Sequence, residues 1–334
     1  MTRPTAPAPA GTDVAGRGFR LERTHHTSHH VPDLDEAARW VSRVFRRETV
    51  PIADILNDLT LDPEWPLDYS FYTFIADVAF NPIDPTRFVF KGQQYFPTVT
   101  EGKLKDFGFA IGGDSAADGM KHAYKALRRE GFHAANTIGQ VGESDEEPPP
   151  GPNVPTPFFA LSSEAGLRYQ FFPAEPFPHD ARSEPGWVLP PVSAADPLGI
   201  ECSQCYTVLS HQPERPLRLM VDALGGEVIA QGRNELLDAA STWVHLANTT
   251  MEFAKPDEGS PAYAKCESAL PNDVFSAITW KVVDLGRVAD HLEAQGVRIA
   301  HRTDDLLVTD PTTSLGVPWG FTTSFLPGDP RARC

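Results

Sequence analysis

The sequence predicts an α+β protein built from four βαβββ modules, and three observations lead to this prediction. An apolar strand, a polar turn, an amphipathic helix and further apolar strands recur four times along the chain. The helices are expected to begin at Asp33, Asp114, Ser210 and Asp284, at intervals of 81, 96 and 74 residues. Such intervals are too long for a solenoid repeat and suit one βαβββ unit each. A proline-rich segment accounts for the longer second interval.

Each predicted helix carries apolar residues at the 3.6-residue period of a half-buried helix. In the first module, Asp33 and Glu36 have the spacing of a capping box, which marks the helix start. Gly225-Gly226 and Gly296 follow the third and fourth helices, where glycine commonly ends a helix. The four apolar stripes are Ala37, Trp40, Val41, Val44 and Phe45; Met120, Ala123, Tyr124 and Leu127; Leu217, Met220, Val221 and Leu224; and Leu285, Val288, Ala289 and Leu292.

Length and charge limit the classes of function. A chain of 334 residues suggests two domains, and 45 acidic against 29 basic residues give a formal net charge of −16. This balance argues against nucleic acid or an anionic membrane as the partner, because both require clustered Lys and Arg. The sequence has no apolar run long enough to span a membrane and no apolar core of a secretory signal. Four cysteines do not make a disulfide scaffold, so a reduced cytoplasmic setting is expected.

Prolines, 32 in all, cluster and divide the chain. Residues 1–20 are predicted to be a disordered tail, and residues 139–157 an acidic, proline-rich surface loop of the kind often used as a lid or interaction segment. Residues 174–197 are predicted to be an exposed, semi-rigid linker. The linker separates an N-terminal domain, residues 21–173, from a C-terminal domain, residues 198–327, each holding two modules.

Several segments carry a family resemblance. The run HHTSHHVPDLDEAARWVSRVF, from His25 to Phe45, resembles the opening of a module of the vicinal oxygen chelate superfamily, which includes glyoxalases, bleomycin-resistance proteins and extradiol dioxygenases. The closing strands FIADVAFNP, SEAGLRYQFFP and LANTTMEFAKP are similar as well. The resemblance implies that the modules pair into two domains, each with a curved, mixed, glyoxalase-like sheet around an open cavity that binds a metal.

The resemblance also implies metal ligands in the N-terminal half. The matching positions are His26 on the first strand, Asp77 on a closing strand and Gln170 on the closing strand of the second module. One imidazole, one carboxylate and one amide oxygen form a mixed set that suits divalent Fe, Mn, Zn, Ni or Co. Strand alternation places His26 and His30 on one face and His25 on the other, so His30 is a candidate general base, or a residue that hydrogen-bonds to a metal ligand. The alternative is that the four histidines are a solvated edge or an incidental polar cluster.

The second half departs from the family pattern. Ser203 stands at the position expected to match His26, and Gly320 stands where a closing-strand carboxylate is expected. Only Glu252 remains of the ligand set, so the His, His, Glu triad of extradiol dioxygenases is missing there. This domain is expected to pack against the site or shape it.

The predicted function is a divalent-metal-dependent enzyme that acts on a small oxygenated metabolite, with aromatic compounds among the candidates, by metal-assisted proton transfer, as a lyase, isomerase or hydrolase. Two alternatives stay open: an Fe²⁺-dependent ring-cleaving dioxygenase, and a non-catalytic protein that sequesters a small molecule. The expected partner is a small-molecule substrate, and a homodimer is possible because superfamily members share cavities between subunits.

Overall fold

The computed structural model describes residues 12–13, 16–57, 59, 61–152 and 157–333, which form two mixed sheets and a short ribbon. The strands of the first half are β1 Thr12–Asp13, β2 Arg20–His30, β3 Val50–Pro51, β4 Phe71–Ile75, β5 Val78–Ile83, β6 Val89–Phe90, β7 Gln93–Gln94, β8 Lys103–Gly112, β9 Ala134–Ala135, β10 Phe158–Ala160 and β11 Tyr169–Pro173. Those of the second half are β12 Ile200–Leu209, β13 Glu227–Asn234, β14 Ala239–Leu246, β15 Thr249–Pro256, β16 Val274–Val282, β17 Ile299–Arg302, β18 Leu306–Thr309 and β19 Trp319–Thr322.

The two sheets have the same topology. The first has the order β3-β4-β5-β2-β8-β11-β10-β9, with β1 paired to β2, and the second has the order β13-β14-β15-β12-β16-β19-β18-β17. In each sheet two antiparallel central strands, β2 with β8 or β12 with β16, are flanked by parallel neighbours. Each half therefore contains two βαβββ modules, and the predicted fold class is confirmed.

Helices complete the modules. They are α1 Leu34–Val44, α2 Ile52–Leu56, α3 Ala116–Arg129, α4 Ser162–Ala165, α5 Glu214–Leu217, α6 Pro261–Glu267 and α7 Leu285–Ala294; the π-helical turn Arg218–Ala223 continues α5. Asp33 and Asp284 cap α1 and α7 as predicted, by accepting a hydrogen bond from the backbone N–H three residues on. The second helix is capped by Ser115, one residue after the predicted Asp114. The third begins at Glu214 instead of near Ser210, whose hydroxyl donates to Asp273 (2.8 Å).

The hydrophobic core runs without interruption from one sheet to the other. The Phe107 ring on β8 lies 4.8 Å from Tyr206 on β12 and 6.0 Å from Phe275 on β16, between ring centroids. Trp40 on α1 stacks on Trp319 of β19, with centroids 6.2 Å apart. Because these buried rings contact each other directly, the two halves share one apolar interior.

The proline-rich segments lie closer to the folded halves than the sequence predicted. In the expected linker, residues 174–197, Asp180 and Arg182 are buried, so the prediction that this segment is exposed is wrong there. The predicted disordered tail, residues 1–20, extends too far into the folded part, because β1 pairs with β2 and Phe19 is buried. Met1 to Gly11 lie outside the described residues.

The acidic loop, predicted over residues 139–157, lies along helix α3 over its described part. Asp145 accepts a hydrogen bond from Arg128 at 2.6 Å, and Lys125 and Lys121 form ion pairs with Glu146 and Glu147. Residues 153–156 of this loop lie outside the described part of the chain.

The state of the cysteines and the character of the helices complete the description of the fold. Cys202, Cys205 and Cys266 are free and buried, and Cys334 lies outside the described residues. Among the residues that the structure describes, no helix combines the length and the apolar character needed to cross a bilayer.

Candidate functional site

A cavity of about 160 Å³ lies against the sheet of the N-terminal half. Polar side chains of three strands of this sheet reach it: His25, His26 and Ser28 from β2, Asn81 from β5, and Gln170 from β11, which β8 separates from β2. Thr137, Arg168, Glu175, Pro157, Pro173 and Pro176 also line it, and the rest of the lining is apolar or aromatic: Ile52, Leu56, Leu59, Leu61, Trp65, Tyr69, Tyr72, Ile83, Phe88, Phe96, Phe159, Phe172 and Phe177. A mostly apolar cavity with a few convergent polar groups is typical of a small-molecule site.

A β-bulge in β2 brings two successive histidines into the cavity. The pairing of β2 with β8 shifts between Thr24 and Thr27, so His25 and His26 do not alternate in the ordinary way. Their Nδ1 atoms lie 2.8 Å apart, which means that one ring donates a hydrogen bond to the other. The prediction that His25 faces away from His26 is therefore wrong, because strict alternation fails at a bulge.

Both histidines are neutral at pH 7. Burial lowers the pKa of His26 to about 4; nearby Asp106 raises it, and Arg182 and Arg168 lower it. Burial also lowers the pKa of His25 well below its ordinary value, and the His26 ring beside it adds to the shift. The Gln170 side chain hydrogen-bonds to His26, so the structure brings together two of the three predicted ligands.

The predicted base His30 lies beside the cavity and does not line it. Its ring is 5.2 Å from that of Phe96, between centroids, and burial lowers its pKa to about 4. Neither ring nitrogen has a hydrogen-bond partner among the described residues. The nearby Asp106 carboxylate accepts two hydrogen bonds from Arg168, at 2.7 and 3.1 Å.

Asp77, the third predicted ligand, lies away from the cavity. It precedes β5 in the β4–β5 turn and is buried, and its carboxylate accepts hydrogen bonds from Ser203 N (2.6 Å) and Ser203 Oγ (2.7 Å). Burial raises the pKa of Asp77, and the Ser203 hydrogen bonds oppose that shift. The residue of β5 that reaches the cavity is Asn81, whose amide donates to Phe71 O at 2.8 Å.

The second half contains the counterpart of the Asp77 contact. Asn248, in the β14–β15 turn, accepts hydrogen bonds from Thr24 N (2.7 Å) and Thr24 Oγ1 (3.2 Å). Each turn thus binds the central strand of the other half, and Ala76 and Ala247, which precede these two residues, both have positive φ. Asp77 is therefore a structural contact between the halves.

This equivalence also corrects the register of the second half. Ser28 pairs with Asn81 on the neighbouring strand, and Thr207 pairs with Glu252, so Glu252 matches Asn81. By the same register Cys205, and not Ser203, matches His26. The Glu252 carboxylate accepts hydrogen bonds from Thr207, Asn234 and Ser241, all neutral donors.

Sequence reasoning missed three contributors to the site. His25 was assigned to the wrong face, and its only signal was its place in a histidine doublet. Asn81 lies four residues after Asp77, so the same strand pattern accommodates both. Arg168, which stacks on Phe96 and Phe159 and pairs with Asp106, gave no signal because its partner is distant in the sequence.

The residues present do not fit the predicted metal set. Within the described ranges, no group of three or more His, Cys, Asp or Glu side chains is arranged to hold a metal ion. The donors at the cavity floor are two mutually hydrogen-bonded imidazoles and two amides, while Asp77 is bound to Ser203 and Asp106 to Arg168. Arg168 and Arg182 also disfavour positive charge at His26. A dication at the cavity floor would be desolvated beside two arginines, and Glu175, the carboxylate among the described lining residues, lies at the exposed rim and not at the floor.

Solved structures with similar folds cover nearly the whole chain. A triple mutant of 4-hydroxymandelate synthase from Streptomyces coelicolor has a TM-score of 0.58 and 13% identity, covering 92% of this chain and 95% of that one. The Mn(II)-bound glyoxalase from Novosphingobium aromaticivorans has a TM-score of 0.56 and 13% identity, covering 93% and 85%. The 2,3-dioxygenase LapB from Pseudomonas sp. KL28 has a TM-score of 0.57 and 10% identity, covering 92% and 94%.

These likenesses define the class of fold. The chain shares the two-domain fold of these three proteins, which agrees with the fold that the resemblance of its sequence segments implies. At 10% to 13% identity they establish the fold alone and leave the reaction open. No protein-family model matches the sequence, and no curated protein matches it either.

Proposed function

We propose that this protein binds a small single-ring molecule with a hydrogen-bonding oxygen in the N-terminal cavity. The observation that carries the proposal is a cavity of about 160 Å³ whose aromatic walls enclose the neutral His25–His26 pair. A dry apolar cavity of about 150 Å³ accommodates benzene. The size therefore suits one ring, and the imidazoles and Gln170 offer hydrogen bonds to one oxygen.

The charges at the cavity favour a neutral ligand. Arg168 is already paired with Asp106, and Glu175 at the exposed rim adds a negative charge. The hydroxyls of Ser28 and Thr137 are buried and have no partner among the described residues, so a ligand or water can satisfy them. A phenol, an alcohol or a ketone fits these cavity groups better than a carboxylate, because a buried carboxylate would need an unpaired cation beside it.

Of the three functions that the sequence predicts, binding and sequestration are best supported. Metal-assisted proton transfer and ring cleavage both require a set of metal ligands that includes Asp77, and Asp77 does not line the cavity. Metal-free proton transfer on a bound carbonyl compound is the second candidate function, because a hydrogen bond already joins the His25 and His26 imidazoles and offers a path for a proton between them.

Titration calorimetry with phenol tests the proposal. We expect wild type to bind phenol, and Ser28→Leu to abolish binding because the added atoms occupy the cavity. Ser28→Ala is the matched control: it removes the unpartnered hydroxyl, leaves the space open and is expected to weaken binding only severalfold. Unchanged affinity in Ser28→Leu would place the phenol site elsewhere.

Metal removal provides a separate prediction. Protein purified without a His-tag is expected to contain substoichiometric divalent metal and to bind phenol equally well after treatment with EDTA, because the floor donors are neutral. Elemental analysis measures the amount of metal per chain. One metal per chain, lost in His26→Ala, would show instead that the predicted metal site exists.

A further inference from the structure

We infer that Arg182 is a positioning residue that holds the His25–His26 pair in place. Arg182 is 6% exposed as a residue, and its Nη2 donates to the backbone oxygen of His25 at 2.6 Å. Nη1 donates to Asp77 O at 2.7 Å and to Thr24 O at 3.3 Å. The inference rests on the proposed function only where ligand binding is the readout.

Asp180 fixes the orientation of this guanidinium. Its carboxylate accepts Nε at 2.8 Å and Nη2 at 2.7 Å, and it is itself 2% exposed. These two bonds and the three to backbone oxygens equal the five N–H donors of an arginine. A lysine has one ammonium group and cannot reproduce this planar fork.

Two of the backbone oxygens that Arg182 binds, those of Thr24 and His25, lie at the β-bulge that brings the histidines into the cavity. Thr24 and His25 lie where β2 departs from regular pairing with β8, and a bulge leaves backbone groups in need of other partners. Arg182 donates hydrogen bonds to these backbone oxygens. The segment that carries Arg182 also lines the cavity through Phe177, whose ring lies 4.9 Å from that of His25, and the His25 ring stacks on Phe172 of β11 at 4.1 Å, both between centroids. Arg182 therefore fixes both the imidazole pair and this wall of the cavity.

The second half contains an equivalent arginine, but the strand that it binds carries no histidine pair. Arg331 is bound by Asp329 and donates to Ser203 O (2.8 Å) and Gln204 O (2.6 Å) at the corresponding bulge of β12. There Gln204 and Cys205 occupy the places of His25 and His26. Arg331 therefore provides an internal control with the same structural role and no imidazole pair.

The experiment compares Arg182→Lys with Arg331→Lys in the full chain. The readouts are phenol affinity by calorimetry, the Nδ1 resonances of the His25 and His26 imidazoles by ¹⁵N NMR, and urea unfolding. Arg182→Lys is expected to lose at least about tenfold in phenol affinity, because displacements of about 1 Å are costly in a preorganised site, and to shift both Nδ1 resonances. Arg331→Lys is expected to lose similar stability while its phenol affinity and Nδ1 resonances stay as in wild type.

Wild-type affinity and wild-type Nδ1 resonances in Arg182→Lys would overturn the inference, and so would an equal loss of affinity in Arg331→Lys. If wild type does not bind phenol, the proposed function fails, while the Nδ1 resonances still decide the role of Arg182. If Arg182→Lys does not fold, Asp180→Asn replaces it; this variant weakens the fork and is expected to shift the same two resonances. Unchanged resonances in Asp180→Asn would also overturn the inference.

Discussion

Lowering the pH from 7 to 5 is expected to remove most of the stability of this protein. His25, His26, His29 and His30 are all buried, and burial lowers the pKa of each: to about 4 for His26 and His30 and to about 3 for His29. In the unfolded chain each has a pKa of about 6.5. At pH 5 the unfolded state gains about 2 kcal/mol from each histidine, and the sum is comparable with the free energy of unfolding of a whole domain.

The sign follows from proton counting. Below about pH 6.5 the unfolded chain binds these four protons and the native protein does not, so the free energy of unfolding falls as the pH falls. Above pH 7 neither state binds them, and their contribution is constant. The decline therefore begins near pH 6.5 and continues until the pH approaches the native pKa values of about 3 to 4.

Urea unfolding at pH 8, 7, 6 and 5 measures this dependence. His30→Leu is expected to reduce the slope by about one proton, or about 1.4 kcal/mol per pH unit. His179→Gln, which replaces an exposed histidine, is the matched control. Equal stability at pH 7 and pH 5 would show that the buried histidines gain protons in the native state.

The modules were predictable because their signals are local. The capping residues Asp33 and Asp284, the 3.6-residue stripes and the glycines after the helices lie within one element each, and the structure follows them. The shift from Asp114 to Ser115 is a choice between two adjacent capping residues. At Ser210 the signal failed because the hydroxyl pairs with Asp273, which lies far along the chain.

The site was less predictable because it depends on long-range contacts. The bulge that turns His25 towards His26 is held by Arg182, more than 150 residues away in the sequence. A strand pattern read with period two also cannot distinguish Asp77 from Asn81, because residues four apart share a face. Only the pairing with Ser28 and the turn at Ala76 decide that Asn81 reaches the cavity.

Replacing Asp77 by alanine is expected to lower the free energy of unfolding by about 2–4 kcal/mol and to leave phenol binding unchanged. The variant leaves the buried N–H and hydroxyl of Ser203 without an acceptor, and each unsatisfied group costs about 1–3 kcal/mol. Asp77→Asn should lose about 1 kcal/mol or less, because an amide can accept from Ser203 N and donate to Ser203 Oγ. Urea unfolding and phenol calorimetry check both variants.

The pseudo-symmetric contact supplies the control. Asn248→Ala removes the acceptor of Thr24 in the same way, so its loss of stability should be of similar size. The amide of Asn248 already performs in one half what the carboxylate of Asp77 performs in the other, which is why Asp77→Asn is expected to be tolerated. A residue with a purely structural role affects ligand binding only through the stability of the fold. If Asp77→Asn loses bound metal or phenol affinity while remaining as stable as wild type, Asp77 takes part in ligand binding directly.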